Sequence, residues 1–548
     1  MKKSVILIIS LLCSFQTNAL LDTKKVDSIL NDLFDKNGPG GVALIVKDGK
    51  TLYRKAFGMA NLEYDIKMTP DNIFQIGSIT KQFTAVAILQ LVEQGKINLD
   101  DDITKFIKDY PTHGHTITIE HLLTHTSGIK SYTSINNWIP EKIRVDSTPE
   151  QVIEYFKNEP MDFKPGEQYS YNNSGYFLLG YIIEKITGKP YGEYIEESIF
   201  KPLNMQDSSY GSIEKIIKNK AAGYEKRKEG YINAAYWSMS QAYAAGGLFT
   251  TVEDLSKWYT AMTSGQVISE SNFKKATTPY TLNNGDKTDY GYGLRLHNVQ
   301  SSPMIAHGGN MPGYFSWSTY FLNENIFVAI FTNCDCDLTY DVSYKIAAIA
   351  VEKPFEWDEI KLDEDLLLSY DGVYASEKHG EKVISYTNGQ FKFYDPAWRK
   401  RTMFPFAKDK FFFDDGDLQF STLNIIRDSN NEISSIKLLG EDFTKTWQKT
   451  NKPFKKYPAI AVDPKTFQVY IGKYELFPGF FLEILAEDNQ LFVVEAGKNK
   501  TKLTAYANHQ FNSEDLDAQF TFNFDEGNKV TSFTLFQGRE FEAKKVEN

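Results

Sequence analysis

The chain has 548 residues, which at about 150 residues per domain predicts three or four domains. Apolar residues make up 42% of it, including 39 Phe and 32 Tyr, so a disordered or low-complexity chain is excluded. The formal net charge is −11 and there is no basic run, which argues against nucleic-acid binding, because that affinity comes mainly from Lys and Arg on phosphates.

The N-terminus has the pattern of a cleaved secretory signal. Met1-Lys2-Lys3 is positively charged, Val5 to Phe15 is apolar but too short to span a bilayer, and Thr17-Asn18-Ala19 provides a small-residue cleavage site. We therefore predict that residues 1–19 are a signal peptide and that the mature protein is periplasmic or secreted, without a membrane span. A lipoprotein acylated at Cys13 is the alternative, and the leucine that precedes this cysteine disfavours it.

Residues 20–352 are predicted to form one large domain of mixed α and β structure. It opens with an apolar strand, Val42 to Val46, followed by a hairpin turn at Asp48-Gly49, and it closes with a second hairpin over 316–332. Helical patterns fill the middle, for example Gln82 to Gln94. Terminal strands around a helical middle indicate an α/β fold of the α+β type, with an antiparallel sheet built from both chain ends and flanked by helices.

The first chemical signal is Ser-x-x-Lys, which is weak alone because the sequence contains six matches. The match at Ser78 follows Gly77 and opens a predicted amphipathic helix that ends at Gly95. A helix start favours an alkoxide and an oxyanion, and Lys81 stands one turn further on the same face. This pattern favours Ser78 as a nucleophile with Lys81 as its base; the alternative is an ordinary capping serine beside a solvated lysine.

A second polar segment, Lys164 to Tyr176, carries Tyr-x-Asn at a predicted helix entry. The phenol of Tyr171 can pass a proton between a serine and a leaving group, and the carboxamide of Asn173 can hold a substrate amide. The alternative is a surface turn, since three other Tyr-x-Asn matches occur. A third segment, Ala306 to Tyr314, places a glycine pair beside a strand, where backbone can approach a ligand closely.

A cluster of histidines offers a competing interpretation. Two of its members, His121 and His125, are spaced i, i+4 and could clamp a metal ion. No His-Glu-x-x-His pattern accompanies them, so a structural role is favoured and neither a metal nor a cofactor is predicted. The cluster consists of His113, His115, His121 and His125.

Together these segments resemble the serine β-lactamase and penicillin-binding-protein superfamily, in the branch that holds D-aminopeptidases, D-Ala-D-Ala carboxypeptidases and β-lactamase-like esterases. Five blocks stand in the family's order between about Gly41 and Asn333, which is far more specific than any single motif. The blocks are Phe74 to Phe83, His121 to Ile129, Lys164 to Tyr176, Ala245 to Thr251 and Ala306 to Tyr314.

The resemblance implies roles for particular residues. Ser78 would be the acylated nucleophile, with Lys81 and Tyr171 as shared base and acid. Asn173 would be a substrate-orienting amide, and the backbone N–H groups of Ser78 and Asn310 would form the oxyanion hole.

The third motif departs from the pattern of many family members. They have Lys-Thr-Gly where this chain has His307-Gly308-Gly309. Histidine is charged only below about pH 6.5, which argues against tight recognition of penicillin or a free D-Ala carboxylate. The resemblance implies that a His-type motif is more usual in the esterase and aminopeptidase branches. We expect His307 to line the site, on the strand ahead of Gly309, and to hydrogen-bond the substrate.

The last third of the chain contains an internal repeat. Tyr370 to Tyr374 recurs as Tyr470 to Tyr474, and matches at 417–420 with 517–520 and at 433–438 with 530–535 follow in the same order. Both copies alternate Phe, Tyr, Val and Ile with polar residues, so each is predicted to be a small antiparallel β-module, either a lipocalin-like barrel or a sandwich. After a charged linker, 353–366, these modules are expected over 367–452 and 465–548, a layout that looks like that of D-aminopeptidases.

The predicted function is an exported serine hydrolase that acts on amide or ester bonds of small substrates. D-amino-acid peptides, peptidoglycan-type fragments and acyl esters are the expected classes. A β-lactamase or penicillin-binding carboxypeptidase is the first alternative, and a catalytically silent binding protein of the same fold is the second. A homo-oligomer stays open.

Overall fold

The computed structural model describes residues 21–135, 142–212, 214–336, 340–387, 389–394, 400–413, 420–440, 444–453, 459–477, 479–495, 500–513, 516, 518–536 and 540–546. The predicted signal peptide with Cys13, and most of the repeat match at 417–420, lie outside these residues. Contacts divide the chain into two compact units, 1–355 and 356–548.

The first unit contains helices and strands in mixed order. Its strands are β1 (Gly41–Lys47), β2 (Lys50–Phe57), β3 (Met59–Asn61), β4 (Ile66–Lys67), β5 (Phe74–Gln75), β6 (Ser209–Tyr210), β7 (Tyr224–Arg227), β8 (Gly230–Asn233), β9 (Leu248–Thr250), β10 (Arg295–Val299), β11 (Ser302–Met311), β12 (Tyr314–Phe321) and β13 (Ile326–Thr332). Its helices are α1 (Thr23–Leu33), α2 (Thr80–Glu93), α3 (Ile119–Leu123), α4 (Pro149–Phe156), α5 (Asn173–Thr187), α6 (Tyr191–Ile195), α7 (Met239–Gly246), α8 (Val252–Thr263), α9 (Glu270–Ala276) and α10 (Tyr340–Ala350).

The main sheet of this unit is antiparallel and has the order β10-β11-β12-β13-β1-β2. Strand β1 pairs with β13 from Gly41 opposite Thr332 to Lys47 opposite Ile326, so the two chain ends share one sheet, as predicted. Helix α8 packs on β1 and β13, while α1 and α10 contact each other and the sheet. Burial of β1 on both faces follows from this helical cover.

Helix α2 carries the predicted nucleophile segment. It is preceded by a 3₁₀ turn, Gly77–Ile79, and it stops before Gly95, whose φ of +67° suits a helix end. The predicted amphipathic pattern is wrong here, because residues 80–89 and Leu91 are all buried. Helices α5, α6 and α7 pack around α2, which makes it a central core helix rather than a surface one.

The second unit contains the two repeat copies. Its elements are α11 (Glu364–Ser369), β14 (Gly372–Ser376), β15 (Gly380–Thr387), β16 (Gln390–Tyr394), β17 (Arg401–Thr402), β18 (Phe404–Ala407), β19 (Lys410–Phe412), β20 (Thr422–Arg427), β21 (Ile433–Leu439), β22 (Thr444–Lys449), β23 (Gly472–Phe477), β24 (Phe480–Glu487), β25 (Gln490–Glu495), β26 (Thr501–Ala507), β27 (Gln510–Ser513), β28 (Ala518–Phe524), β29 (Val530–Phe536) and β30 (Glu540–Val546).

Strands β14 to β22 form one antiparallel sheet, and β23 to β30 form a closed barrel, which confirms the predicted β-modules. The same buried hydrogen bond occurs inside each copy. In the first, the Tyr374 hydroxyl donates to the Tyr370 carbonyl at 2.7 Å, and in the second the Tyr474 hydroxyl donates to the Tyr470 carbonyl at 2.6 Å. Each core is filled by apolar and aromatic side chains. Across the described part of the chain, no helix has the length and apolar composition that crossing a bilayer requires.

Candidate active site

The structure brings Ser78, Lys81 and Asn173 together at the start of α2. Lys81 is fully buried, and its Nζ lies 3.0 Å from Ser78 Oγ. The same nitrogen donates to Asn173 Oδ1 at 2.8 Å and to the Ala245 carbonyl at 2.9 Å. Ser78 and Lys81 meet because they are three residues apart at the start of a helix. Asn173 is the first residue of α5, and Ala245 lies near the end of α7.

Burial lowers the pKa of Lys81 well below its usual value, and the positive charge of Arg295 lowers this pKa further. The surroundings therefore favour a neutral amine next to the Ser78 hydroxyl. A lysine in this form can accept a proton, which a solvated lysine cannot do at neutral pH.

Tyr171 lies immediately before α5, with its ring centroid 4.8 Å from Lys81 Nζ. Its hydroxyl is buried and, within the described residues, makes no hydrogen bond of standard geometry. Burial raises the pKa of Tyr171, while the nearby Ser78 hydroxyl and the charge of Arg295 lower it by less. The side chain is thus a protonated phenol whose hydroxyl lies near that of Ser78.

The backbone around Tyr171 is held by His125, a contact that sequence reasoning missed. The His125 carbonyl accepts from Ser170 N at 3.0 Å, and its Nδ1 accepts from Asn172 N at 3.0 Å. Its ring also packs on Tyr171, with centroids 4.4 Å apart. His125 thus binds the residues on either side of Tyr171 in the chain and can position the Tyr171 side chain.

The other member of the predicted metal pair has a local partner. His121 Nδ1 accepts from Thr118 N at 3.2 Å, which closes a capping box at the start of α3. Within the described ranges, no group of three or more His, Cys, Asp and Glu side chains is arranged to hold a metal ion.

Asn173 is engaged at both ends of its carboxamide. Its Oδ1 accepts from Lys81, and its Nδ2 donates to Thr133 Oγ1 at 3.0 Å. Thr133 lies in the 3₁₀ turn Tyr132–Ser134, which no motif pointed to. A substrate amide would therefore have to compete with Lys81 and Thr133 for the Asn173 carboxamide. The structure itself shows Asn173 as a hydrogen-bond partner of Lys81.

Strand β11 packs directly against the residues that precede Ser78. A Cβ on Gly309 would lie 1.9 Å from the Ile76 carbonyl oxygen, so only glycine fits there. A Cβ on Gly77, whose φ is +49°, would lie 3.0 Å from the backbone nitrogen of Asn310. The glycine at 309 thus allows close packing of protein backbone and brings the Asn310 amide beside the serine turn, while the predicted approach of a ligand to this backbone stays a prediction.

His307 lies on β11 and is 1% exposed. Its Nδ1 is 2.7 Å from the Gly308 carbonyl and its Nε2 is 2.8 Å from the Tyr290 hydroxyl. A carbonyl can only accept, so Nδ1–H donates to Gly308 and Nε2 accepts from Tyr290. Burial, followed by the charge of Arg295, holds the pKa of His307 well below its usual range. Both ring nitrogens thus have protein partners, with which the predicted hydrogen bond to substrate would have to compete.

Replacing His307 with Ala is expected to lower stability more than catalysis. The Tyr290 hydroxyl would lose its buried acceptor, at a cost of about 1–3 kcal/mol in the free energy of unfolding. His307→Gln, which can still accept from Tyr290, should recover part of this loss. Denaturant unfolding and kcat/KM measured on the same samples check the expectation. A stable His307→Ala protein with a large loss of kcat/KM would instead place this side chain on the substrate.

Arg295 is a further residue that sequence reasoning missed. It lies on β10, paired with Ala306 of β11, and its guanidinium carbon is 5.8 Å from the Tyr171 ring centroid. Its charge lowers the pKa values of Lys81 and His307. The sequence around Arg295 contains none of the motifs that pointed to the site, and the pairing of β10 with β11 brings this residue there.

Comparisons with known proteins agree with this architecture. The Beta-lactamase family matches residues 26–350, and a domain of unknown function, DUF3471, matches residues 456–547. A penicillin-binding protein of Bacillus subtilis (strain 168) is 26% identical over 415 residues, which cover 71% of this chain and 91% of the relative.

Two solved structures share the fold. The octameric penicillin-binding protein homologue from Pyrococcus abyssi is 25% identical with a TM-score of 0.54, covering 95% of this chain and 100% of its own. The D-stereospecific amidohydrolase from Streptomyces sp. is 26% identical with a TM-score of 0.52, covering 59% of this chain and 98% of its own. The chain therefore belongs to the Beta-lactamase family, within the β-lactamase and penicillin-binding-protein superfamily of serine hydrolases.

Proposed function

We propose that this protein is an exported serine hydrolase that forms an acyl-enzyme on Ser78 and cleaves amide or ester bonds of small substrates. The observation that carries the proposal is the set of partners around Lys81 Nζ. Two of them, Asn173 Oδ1 and the Ala245 carbonyl, can only accept hydrogen bonds. The third is the Ser78 hydroxyl, which can also donate.

A neutral amine has two N–H donors and one lone pair. The two acceptors take the N–H donors, and the lone pair is left facing Ser78 Oγ, so the serine proton moves to Lys81 as the oxygen attacks the carbonyl carbon. Tyr171 is placed to pass a proton to the leaving group. The N–H groups of Ser78 and Asn310 would stabilise the oxyanion, in line with the approach of β11 to the serine turn.

The preferred substrates are D-amino-acid peptides, their amides or small acyl esters. The similar Streptomyces protein is a D-stereospecific amidohydrolase, and His307 supplies no fixed charge for a carboxylate. Arg295 favours a second candidate, a carboxypeptidase or β-lactamase type of substrate that ends in a carboxylate, because guanidinium is permanently charged.

A substrate panel separates these candidates. We expect D-Ala p-nitroanilide or p-nitrophenyl butyrate to be turned over with a higher kcat/KM than nitrocefin, and mass spectrometry to place a fluorophosphonate label on Ser78. A peptide ending in D-Ala-D-Ala, assayed beside its C-terminal amide, tests the second candidate. Dominant nitrocefin hydrolysis would contradict the preferred class, and a protein with neither turnover nor label would be a binding protein.

A further inference from the structure

A cavity of about 410 Å³ lies in the first unit, and none of the proposed catalytic side chains lines it. Its walls include three tyrosines and three glutamates: Tyr191, Tyr210, Tyr243, Glu184, Glu193 and Glu196. A volume in this range suits a small organic molecule.

The tyrosine rings form one packed group. Tyr191 lies 5.1 Å from Tyr243 and 5.9 Å from Tyr210, measured between ring centroids. The hydroxyls of Tyr191 and Tyr210 have partners, Thr84 Oγ1 at 2.7 Å and the Met239 carbonyl at 2.9 Å. Both hydroxyls are therefore engaged by the protein, and because Tyr191 is 0% exposed, Tyr210 is the ring of these two that has accessible surface at the cavity.

Tyr243 differs from the other two. It is only 4% exposed, and its buried hydroxyl has no hydrogen bond of standard geometry among the described residues. Its backbone (φ 42°, ψ −132°) is in a region that L residues rarely adopt, and the ring lies over Gly180, where a Cβ would come within 2.7 Å of it. The Glu184 carboxylate, one turn along α5 from Gly180, raises the pKa of Tyr243 through its charge and as a hydrogen-bond acceptor for the phenol, after the larger effect of burial.

The charge of the cavity wall is negative. Three glutamates and one lysine, Lys215, line the cavity, and Lys215 pairs with Glu196 at 2.8 Å. Two lysines outside the lining are bound by other carboxylates, Lys189 by Glu197 and Lys185 by Glu150 at 3.6 Å. Glu184 accepts from Tyr191 N at 2.7 Å through one oxygen. Among the described residues, Glu184 and Glu193 thus have no cation within salt-bridge distance.

We propose that this cavity is a binding site for a protonated organic amine, separate from Ser78. The ammonium group would lie between the Glu184 carboxylate and the tyrosine rings, which attract cations through their faces. The hydrocarbon part would cover the aromatic wall, with the Tyr243 hydroxyl as a polar group beside the Glu184 carboxylate. A neutral molecule of the same shape would cover the aromatic wall but would lack the attraction between an ammonium group and the Glu184 carboxylate.

The test uses the full chain with benzylamine as the probe and benzyl alcohol as its neutral match, followed by ligand-observed NMR titration. We expect saturable benzylamine binding, weaker by about tenfold for benzyl alcohol and for the Glu184→Gln variant. Glutamine keeps an acceptor for Tyr191 N, so the fold should survive. Tyr243→Phe, which removes only the hydroxyl beside Glu184, should also weaken binding, whereas the exposed control Glu270→Gln should leave it unchanged.

Three results would overturn the proposal. One is equal binding of the amine and the alcohol. Another is benzylamine binding that neither Glu184→Gln nor Tyr243→Phe weakens, which would place the probe elsewhere, for example beside Ser78. The last is the absence of saturable benzylamine binding in the wild type.

Discussion

Replacing Ser78 with Ala is expected to abolish labelling by a fluorophosphonate and to lower kcat/KM by at least about a thousandfold. Ser78 Oγ is the only atom that this change removes, and its observed contact is with Lys81 Nζ at 3.0 Å. The fold should therefore keep its thermal midpoint. Gel fluorescence after labelling, with a melting curve on the same sample, checks both statements.

The chain offers a matched control for this experiment. Ser271 with Lys274 repeats the Ser-x-x-Lys spacing on the exposed helix α9. Ser271→Ala should label and turn over substrate as the wild type does. Equal labelling of Ser78→Ala and wild type would refute the assignment of the nucleophile.

Replacing Lys81 with Met should slow acylation of Ser78 by about 10²–10⁴-fold, the range for loss of a general base. Methionine fills a similar volume without a buried amine, so the protein should stay folded. Lys81→Arg should fail as well, because guanidinium does not give up its proton at accessible pH. Pseudo-first-order labelling rates with an uncharged fluorophosphonate measure the effect.

The same assay tests the protonation state of Lys81. Because the base form is needed, the wild-type rate should rise with pH through the Lys81 pKa, which burial and Arg295 place well below the usual lysine value. Arg295→Gln removes a positive charge, so the acidic limb of the pH profile should move to higher pH. An unmoved limb would show that Arg295 does not act on Lys81, and wild-type labelling of Lys81→Met would exclude it as the base.

Much of this arrangement could be predicted from sequence because it depends on local spacing. Ser78 and Lys81 are three residues apart on a helix, and hairpin turns such as Asp48-Gly49 (φ 51° and 73°) have a recognisable composition. The paired β-modules followed from the repeat of Tyr370 and Tyr470. The main sheet of the first unit was predictable because its strands lie at the two ends of that domain's sequence.

The other contacts of the site could not be predicted, because they join residues far apart in the chain and no local sequence pattern accompanies them. The Ala245 partner of Lys81 is a backbone carbonyl, so the side chain at that position carries no signal. Arg295 reaches the site through pairing of β10 with β11, and His125 through a left-handed backbone (φ 60°) that aims its ring at Asn172. The all-round burial of α2 was missed because a one-sided apolar stripe on a core helix can look like that of a surface helix.

The tight packing around Gly308 restricts how the third motif of this chain can change during evolution. A Cβ at this position would lie 2.7 Å from the Tyr340 ring and 2.9 Å from the Trp317 ring. A threonine there, as in Lys-Thr-Gly, would require the Trp317 ring to shift, because Trp317 is 1% exposed, whereas the Tyr340 ring is 45% exposed and has room to turn away. A His307→Lys exchange therefore does not by itself create Lys-Thr-Gly, because the threonine also needs space that the buried Trp317 ring occupies.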